Sequence, residues 1–396
     1  MTSIRTPWRA VSAMFILNGA LFGIWASRVP AVAEQHRLGH GALGILLLLM
    51  AVGAIIAFTL AGRAVDRFGA HKVTWRVAVA YSISLFLLAF APGTLLLGAA
   101  LLFFGAVHGA MDVGMNTWAG EVERRLRRPV MSSFHAMFSL GAGLGASSGY
   151  LAVKAGLGIQ VHFLLAGAAF ALVTLSLAYI EWIPDSFRSG SAPPIFSLPN
   201  AGLLAVGFVA FCASLGEGAM ADWGAIFLVL TTGATEADAA LGYAAFSITM
   251  VIMRLMGDRV IQVVGRETSA RLAGIAAGTG VIIAVTFGTF TSALVGFALM
   301  GIGYAVIMPL AFTRAANDPI VPPGIAIASV ATLGYGGMLL GPPLIGFVAE
   351  VTSLRAGFLI LAALALLVAA MARAIRTSTK CEVQIGTDAE VVDERS

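Results

Sequence analysis

Twelve times along this chain a run of about twenty predominantly apolar residues is punctuated by glycine, proline or charge. A hydrocarbon core of about 30 Å takes roughly twenty residues of helix to cross, so the recurrence predicts an all-α membrane protein. The spans read as 10–33, 41–62, 73–92, 94–119, 131–153, 160–183, 201–229, 237–257, 269–288, 292–315, 324–349 and 354–373. Composition agrees. Charged residues make up 11% of the 396, against about 25% in soluble domains, and the mean hydropathy is +0.92. The run after Arg9 is too long for a leader and ends at Arg28-Val-Pro30 without a small-residue cleavage site, so it reads as a span.

Connections between spans are short except for "PDSFRSGSAPPIFSLPN" (184–200), whose proline and serine content reads as a linker. The expected organisation is a six-helix bundle over 1–183, a cytoplasmic linker over 184–200, a second bundle over 201–373 and a disordered cytoplasmic tail over 374–396. Placing both termini in the cytoplasm puts 20 of the 24 lysines and arginines on that side, leaving Arg28, Arg37, Lys154 and Arg355 outside. That is the positive-inside bias of a multi-pass protein of the cell (inner) membrane. It accounts for the basic clusters without nucleic acid.

The halves repeat a signal. "AGRAVDRFGAHK" (61–72) joins the second and third spans, and "MRLMGDRVIQVVGRE" (253–267) joins the eighth and ninth. Each carries Asp-Arg at a cytoplasmic helix end, then a glycine and a basic residue, which indicates a duplicated six-helix unit. Gly62, Asp66, Arg67, Gly69 and Lys72 together resemble the loop signature of the major facilitator superfamily. Asp258, Arg259 and Gly265 form a degenerate second copy. "GAGLGASSG" (141–149) and "GMLLGPPLIG" (337–346) resemble its helix-packing segments, and 216–223 resembles bacterial members near the fucose-permease-like branch. The resemblance implies two pseudo-symmetric six-helix bundles that rock about a central cavity lined by the first, fourth, seventh and tenth helices. It assigns the loop residues to closure of the cytoplasmic side.

Several motifs exclude other chemistry. Gly145-Ala-Ser147-Ser-Gly149 matches the hydrolase elbow G-x-S-x-G, but lies inside an apolar helix where no strand-turn-helix can form. Gly141-Ala-Gly143-Leu-Gly145 fails as a dinucleotide fingerprint for the same reason. No Gly-Lys-Ser/Thr loop is present for ATP, so coupling must come from a gradient or a separate subunit. Cys212 and Cys381 imply neither disulfide nor metal site, and no cofactor is expected.

Polar residues within the spans carry the functional reading, because each costs several kcal/mol in hydrocarbon unless paired or wetted. At 1.5 Å per residue, His108 and Glu217 fall near midplane. Asp112, Asn116 and His135 lie in the cytoplasmic half, and Arg28 and Asp222 in the periplasmic half. His108, Asp112 and Asn116 share one helix face, as do Asn18, Trp25 and Arg28, and His135 with Ser139. These and Trp223 are the candidate substrate and proton pathway, with Trp25 and Trp223 either lining the cavity or anchoring at the interface. Glu217 and Asp222 differ by about 140° on an ideal helix. Glu217 is therefore expected to face the cavity and Asp222 another helix, with Arg28 and Asp222 pairing across the periplasmic gate. The function so read is a monomeric, proton-coupled secondary transporter of a small polar, sugar-like solute, and not an enzyme. Drug or metabolite efflux on the same fold and a non-transporting membrane sensor are the alternatives.

Overall fold

The structure is a computed structural model that describes residues 6–127, 130–183, 201–321 and 323–376. Twelve α-helices run through them: α1 Pro7–Gln35, α2 His40–Phe68, α3 Ala70–Ala89, α4 Thr94–Leu126, α5 Met131–Lys154, α6 Ile159–Ala178, α7 Ala201–Thr232, α8 Glu236–Val264, α9 Arg266–Phe287, α10 Phe290–Ala316, α11 Pro323–Val351 and α12 Leu354–Ala370. The expected linker over 184–200 lies outside the described residues, as does the tail from residue 377. Eleven of the helices are long and apolar enough to cross a membrane, and α12 is a shorter apolar helix of 17 residues.

Three helices outrun their apolar spans at the end of the molecule where the chain begins. α2 continues from the expected 62 to Phe68, α4 from 119 to Leu126 and α8 from 257 to Val264. The added turns hold Arg63, Arg67, Glu121, Arg124 and Arg259. Arginine and glutamate are strong helix formers, so the helix persists after the hydrophobic pattern stops. Below, the end holding the start of α1 is the near end, and its opposite is the far end.

The repeated loop signal has a repeated geometry. Gly69 has φ 87° and ψ 143°, and Gly265 has φ 82° and ψ 159°. This region of backbone space is essentially reserved for glycine. Each glycine closes one helix and opens the next: Gly69 N donates to Val65 O and Gly265 N to Ile261 O. α2 and α8 are both 29 residues long, offset throughout by 196 residues. That frame corrects the register read from the sequence. Asp66 corresponds to Gln262, and Asp258-Arg259 sits about one turn deeper in α8. Asp66, Arg67 and Lys72 are exposed at the near end, with Arg67 over the Phe68 ring. Arg259 is exposed too, while the side chain of Asp258 lies outside the described ones.

Within the first half α1 packs on α5 and α2 on α4, and in the second α7 packs on α11 and α9 on α10. The halves meet through α5 against α8 and α2 against α11. Glycine makes the tightest of these approaches. A methyl on Gly141 would strike the Ile16 carbonyl, and one on Gly19 the Phe138 carbonyl. Small residues that bring backbones together are the usual means of joining helices in lipid.

Candidate functional site

A cavity of about 260 Å³ lies between the halves, walled by α1, α2, α4, α5, α7, α8 and α11. From α4 it receives His108 and Asp112, spaced one helical turn apart. Asn116 is not in the wall; its Nδ2 donates to Asp112 Oδ1 at 3.0 Å and so holds the carboxylate from below. Tyr335 of α11 stands in the same wall and faces this carboxylate from the opposite half. His108 Nδ1 meets the Tyr81 hydroxyl at 3.0 Å, and its ring stacks on Phe22 with centroids 5.2 Å apart.

The centre of the site is an arginine. Arg254 Nη2 donates to Glu217 Oε1 at 2.8 Å, and Arg254 Nη1 donates to Ser139 Oγ at 2.6 Å and approaches His135 O at 3.5 Å. Glu217 belongs to α7 and Ser139 to α5, so this one side chain from α8 ties the two halves together beside the cavity. Its side chain is 13% exposed and that of Glu217 is 27%. A charge removed from bulk water to this degree needs its partner.

Both carboxylates of the seventh helix reach the cavity, which corrects the expectation that Asp222 would face another helix. Glu217, Gly218, Ala221 and Asp222 are all in the wall. α7 is α-helical throughout, without local unwinding. The cavity is broad enough to take an arc of about 140° from an undistorted helix. Asp222 is 4% exposed and its Oδ1 has no hydrogen-bond partner.

At the far end the halves are joined by two further contacts. Arg28 Nε lies 2.9 Å from Glu236 Oε1, and the guanidinium also approaches the Leu157 carbonyl at 3.5 Å. The expected partner Asp222 is replaced by Glu236, because Glu236 opens α8 beside the end of α1. Gly41 N, in the first turn of α2, donates to Glu350 Oε2 of α11 at 3.1 Å. Among the described residues α4 and α10 share no comparable packed interface at the near end.

This arrangement has relatives. The sequence model described as Major Facilitator Superfamily matches residues 10–319. The chain belongs to the major facilitator superfamily. Over 376 residues it is 44% identical to an uncharacterised transporter, y4wD, of Sinorhizobium fredii, covering 95% of this chain and 100% of that one. It is 34% identical to an uncharacterised MFS-type transporter of Yersinia pestis, covering 91% and 94%. It is 32% identical to the membrane protein MosC of Rhizobium meliloti, covering 91% and 88%. Among solved structures, the nucleoside transporter NupG superposes with a TM-score of 0.71 at 14% identity over 92% of this chain and 98% of that one. A mutant of NupG reaches 0.76 at 13% identity over 93% and 100%. The protein is therefore a membrane transporter of the major facilitator fold.

In this major facilitator protein, Glu217, Asp112, His108 and His135 all line one cavity, whereas their depths in the sequence spread them as a ladder across the membrane. Four other candidates do not line it: Asn116 stands behind Asp112, and the remaining three pack elsewhere. Asn18 is buried inside the first half, with Nδ2 on Met115 Sδ at 3.5 Å. Trp25 and Trp223 are fully buried, packing near Phe104 and His40 respectively, so neither lines the cavity nor sits in an interfacial belt. The polar face of α1 therefore packs within the protein, and only Phe22 of that helix reaches the wall. The tenth helix contributes no wall residue among the described ones, while α2, α5, α8 and α11 do. Arg254, Tyr243, Ser247 and Tyr335 are the wall residues that sequence reasoning missed.

Proposed function

We propose that this transporter is proton-coupled and moves a small, hydroxyl-bearing polar solute by alternating access. In this reading it works as a monomer in the inner membrane, with both termini and the near end in the cytoplasm. The observation that carries the proposal is Asp112. It is a carboxylate in the cavity wall, hydrogen-bonded by Asn116 from its own helix and faced by Tyr335 of the opposite half. No ion pair reaches it among the described residues. As an anion it draws the Tyr335 hydroxyl into a charge-assisted bond, about twice as strong as a neutral one. A proton on Asp112 weakens that tie and removes the cost of its charge. Proton occupancy thereby biases the contact between the halves, which is what coupling requires of a two-state carrier. Glu217 serves in the same polar layer by holding Arg254, and His108 and His135 complete it. The cavity volume and its polar groups suit a solute of sugar size, near the lower bound of ordinary ligand sites.

The test is uptake into proteoliposomes, using a solute found by thermal-shift screening of sugars, organic acids and organic cations. An imposed pH gradient should drive accumulation in the native protein. Asp112→Asn should lose accumulation while still exchanging labelled for unlabelled solute. Undiminished accumulation by that variant would move the coupling site elsewhere. The apolar face of α2 (Leu47, Met50, Ala51, Ala54) also favours a second reading, export of a less polar metabolite. The direction of proton-driven flux in the same vesicles separates the two.

A further inference from the structure

The charges of the cavity do not balance. Asp112, Glu217 and Asp222 line it, against the single guanidinium of Arg254. Arg254 is committed to Glu217. Asp112 has its Asn116 donor and faces the Tyr335 hydroxyl. Among the described residues Asp222 has neither ion partner nor hydrogen bond at Oδ1, although it is 96% sequestered from solvent. A buried acceptor left without a donor is costly, and a donor group carried by a ligand would relieve that cost.

The surroundings say what kind of partner fits. Tyr243, within electrostatic reach of Asp222, begins an aromatic stretch of the wall: it meets Phe22 edge to face at 6.4 Å and stacks on Phe246 at 5.9 Å. Ring faces attract a cation that comes within about 6 Å of their centroids. A metal ion is a poor fit, since hard cations take six or more oxygen ligands. The described residues hold no group of three or more His, Cys, Asp or Glu that could bind one. An ammonium group satisfies both features, donating hydrogen bonds to a carboxylate while its carbon neighbours lie on rings.

We infer that the Asp222 end of the cavity is a subsite for a protonated amino group carried by the transported solute. The inference rests on the transporter reading above and adds the chemical class of its solute. It divides the labour between the acids. Asp112 answers to the proton, Asp222 to the cation of the cargo, and Glu217 to Arg254.

The experiment uses matched pairs that differ in one group: benzylamine with benzyl alcohol, and glucosamine with glucose. Binding to the purified full-length protein in detergent is measured by calorimetry near neutral pH and constant ionic strength. At least one amine should bind about tenfold or more tighter than its hydroxyl twin, the difference a charge-assisted hydrogen bond supports. Asp222→Asn should reduce that preference to within about twofold, and Asp222→Glu should retain most of it. Equal binding of the twins, no binding by either amine, or a preference that survives in Asp222→Asn each overturns the inference. A site used by protons alone would give the first of these results. Should Asp222→Asn fail to fold, Asp222→Ser carries the same comparison, with the preference expected to fall to within about twofold. Vesicle uptake does not enter this readout. Lost amine preference therefore leaves proton-coupled transport standing, and absent proton coupling leaves the subsite standing.

Discussion

α2 and α8 are the same helix used twice, and they differ in what they show the cavity. Both have 29 residues, both end on a glycine with φ above 80°, and both line the cavity at positions 196 apart. On α2 these are Leu47, Met50, Ala51, Ala54 and Phe58. On α8 they are Tyr243, Phe246, Ser247, Met250 and Arg254. The backbone plan is conserved between the halves, while hydroxyls and charge were placed on one of them. α5 and α11 repeat the lesson with the polarity reversed, at positions 200 apart: His135, Phe138, Ser139 and Ala142 against Tyr335, Met338, Leu339 and Pro342. Symmetry sets where side chains can enter the cavity. Departures from it decide what the cavity binds.

The strongest way to break this comparison is to make α8 resemble α2. Arg254→Phe copies Phe58, and it strands Glu217 while removing the tie to Ser139. Breaking a largely buried pair from one side costs about 3 kcal/mol or more. The melting temperature in detergent should fall and solute uptake should be lost. Adding Glu217→Gln should recover most of the stability without recovering uptake, because the stranded charge is gone but the link between the halves is not rebuilt. A single variant as stable as the native protein would mean that the pair contributes nothing.

Why Arg254 escaped sequence reading has a physical cause. With the eighth span ending at 257, Arg254 counts as one more basic residue at a cytoplasmic boundary. α8 in fact continues to Val264, which leaves Arg254 ten residues from the helix end and within reach of Glu217. The fold was legible because it rests on long apolar runs and on two glycine-closed loops. Asp112, Glu217, His108 and His135 were legible because a polar group deep in an apolar run has few other reasons to be there. Phase alone misjudged Asp222, since the width of the cavity is set by seven helices together and not by the pattern of one. Trp25, Trp223 and Asn18 were overread for the opposite reason. Inside a bundle, large rings and an amide can pack against neighbouring helices as ordinary core, and spacing cannot distinguish that from a wall.

A second, smaller effect sharpens the contrast between α5 and α11. Gly141 and Gly341 are symmetry counterparts at the same 200-residue offset. A methyl at Gly141 would run into the Ile16 carbonyl of α1, whereas one at Gly341 would stand 3.4 Å from the Leu215 carbonyl of α7. Overpacking against backbone costs about 1–3 kcal/mol, and an ordinary contact costs little. Gly141→Ala should therefore lower the melting temperature clearly, while Gly341→Ala should leave it nearly unchanged. Equal losses would show that the helix pairs are packed alike in solution.

The smallest effect belongs to the far ends of α2 and α8, each tied to the opposite half by one carboxylate. At α2 the acid is Glu350, whose side chain is 56% exposed and accepts from Gly41 N. At α8 it is Glu236, 33% exposed, facing an Arg28 that is 4% exposed. Solvent-exposed contacts of the first kind are worth a few tenths of a kcal/mol. The second should be worth more, because removing Glu236 leaves a buried guanidinium with only the Leu157 carbonyl. After discounting for the exposed partner we expect about 1 kcal/mol, or roughly fivefold in the population open at that end. Ala240 is fully buried there, close to where Gly149 of α5 faces Ser27 of α1. A cysteine placed by Ala240→Cys, in a background without Cys212 and Cys381, should react with maleimide only when the seal parts. Glu236→Gln should speed that labelling about fivefold and Glu350→Gln less than twofold. The reverse order would assign the stronger latch to α2 and its helix N-terminus, and would leave Arg28 as a buried charge with no part in holding the halves together.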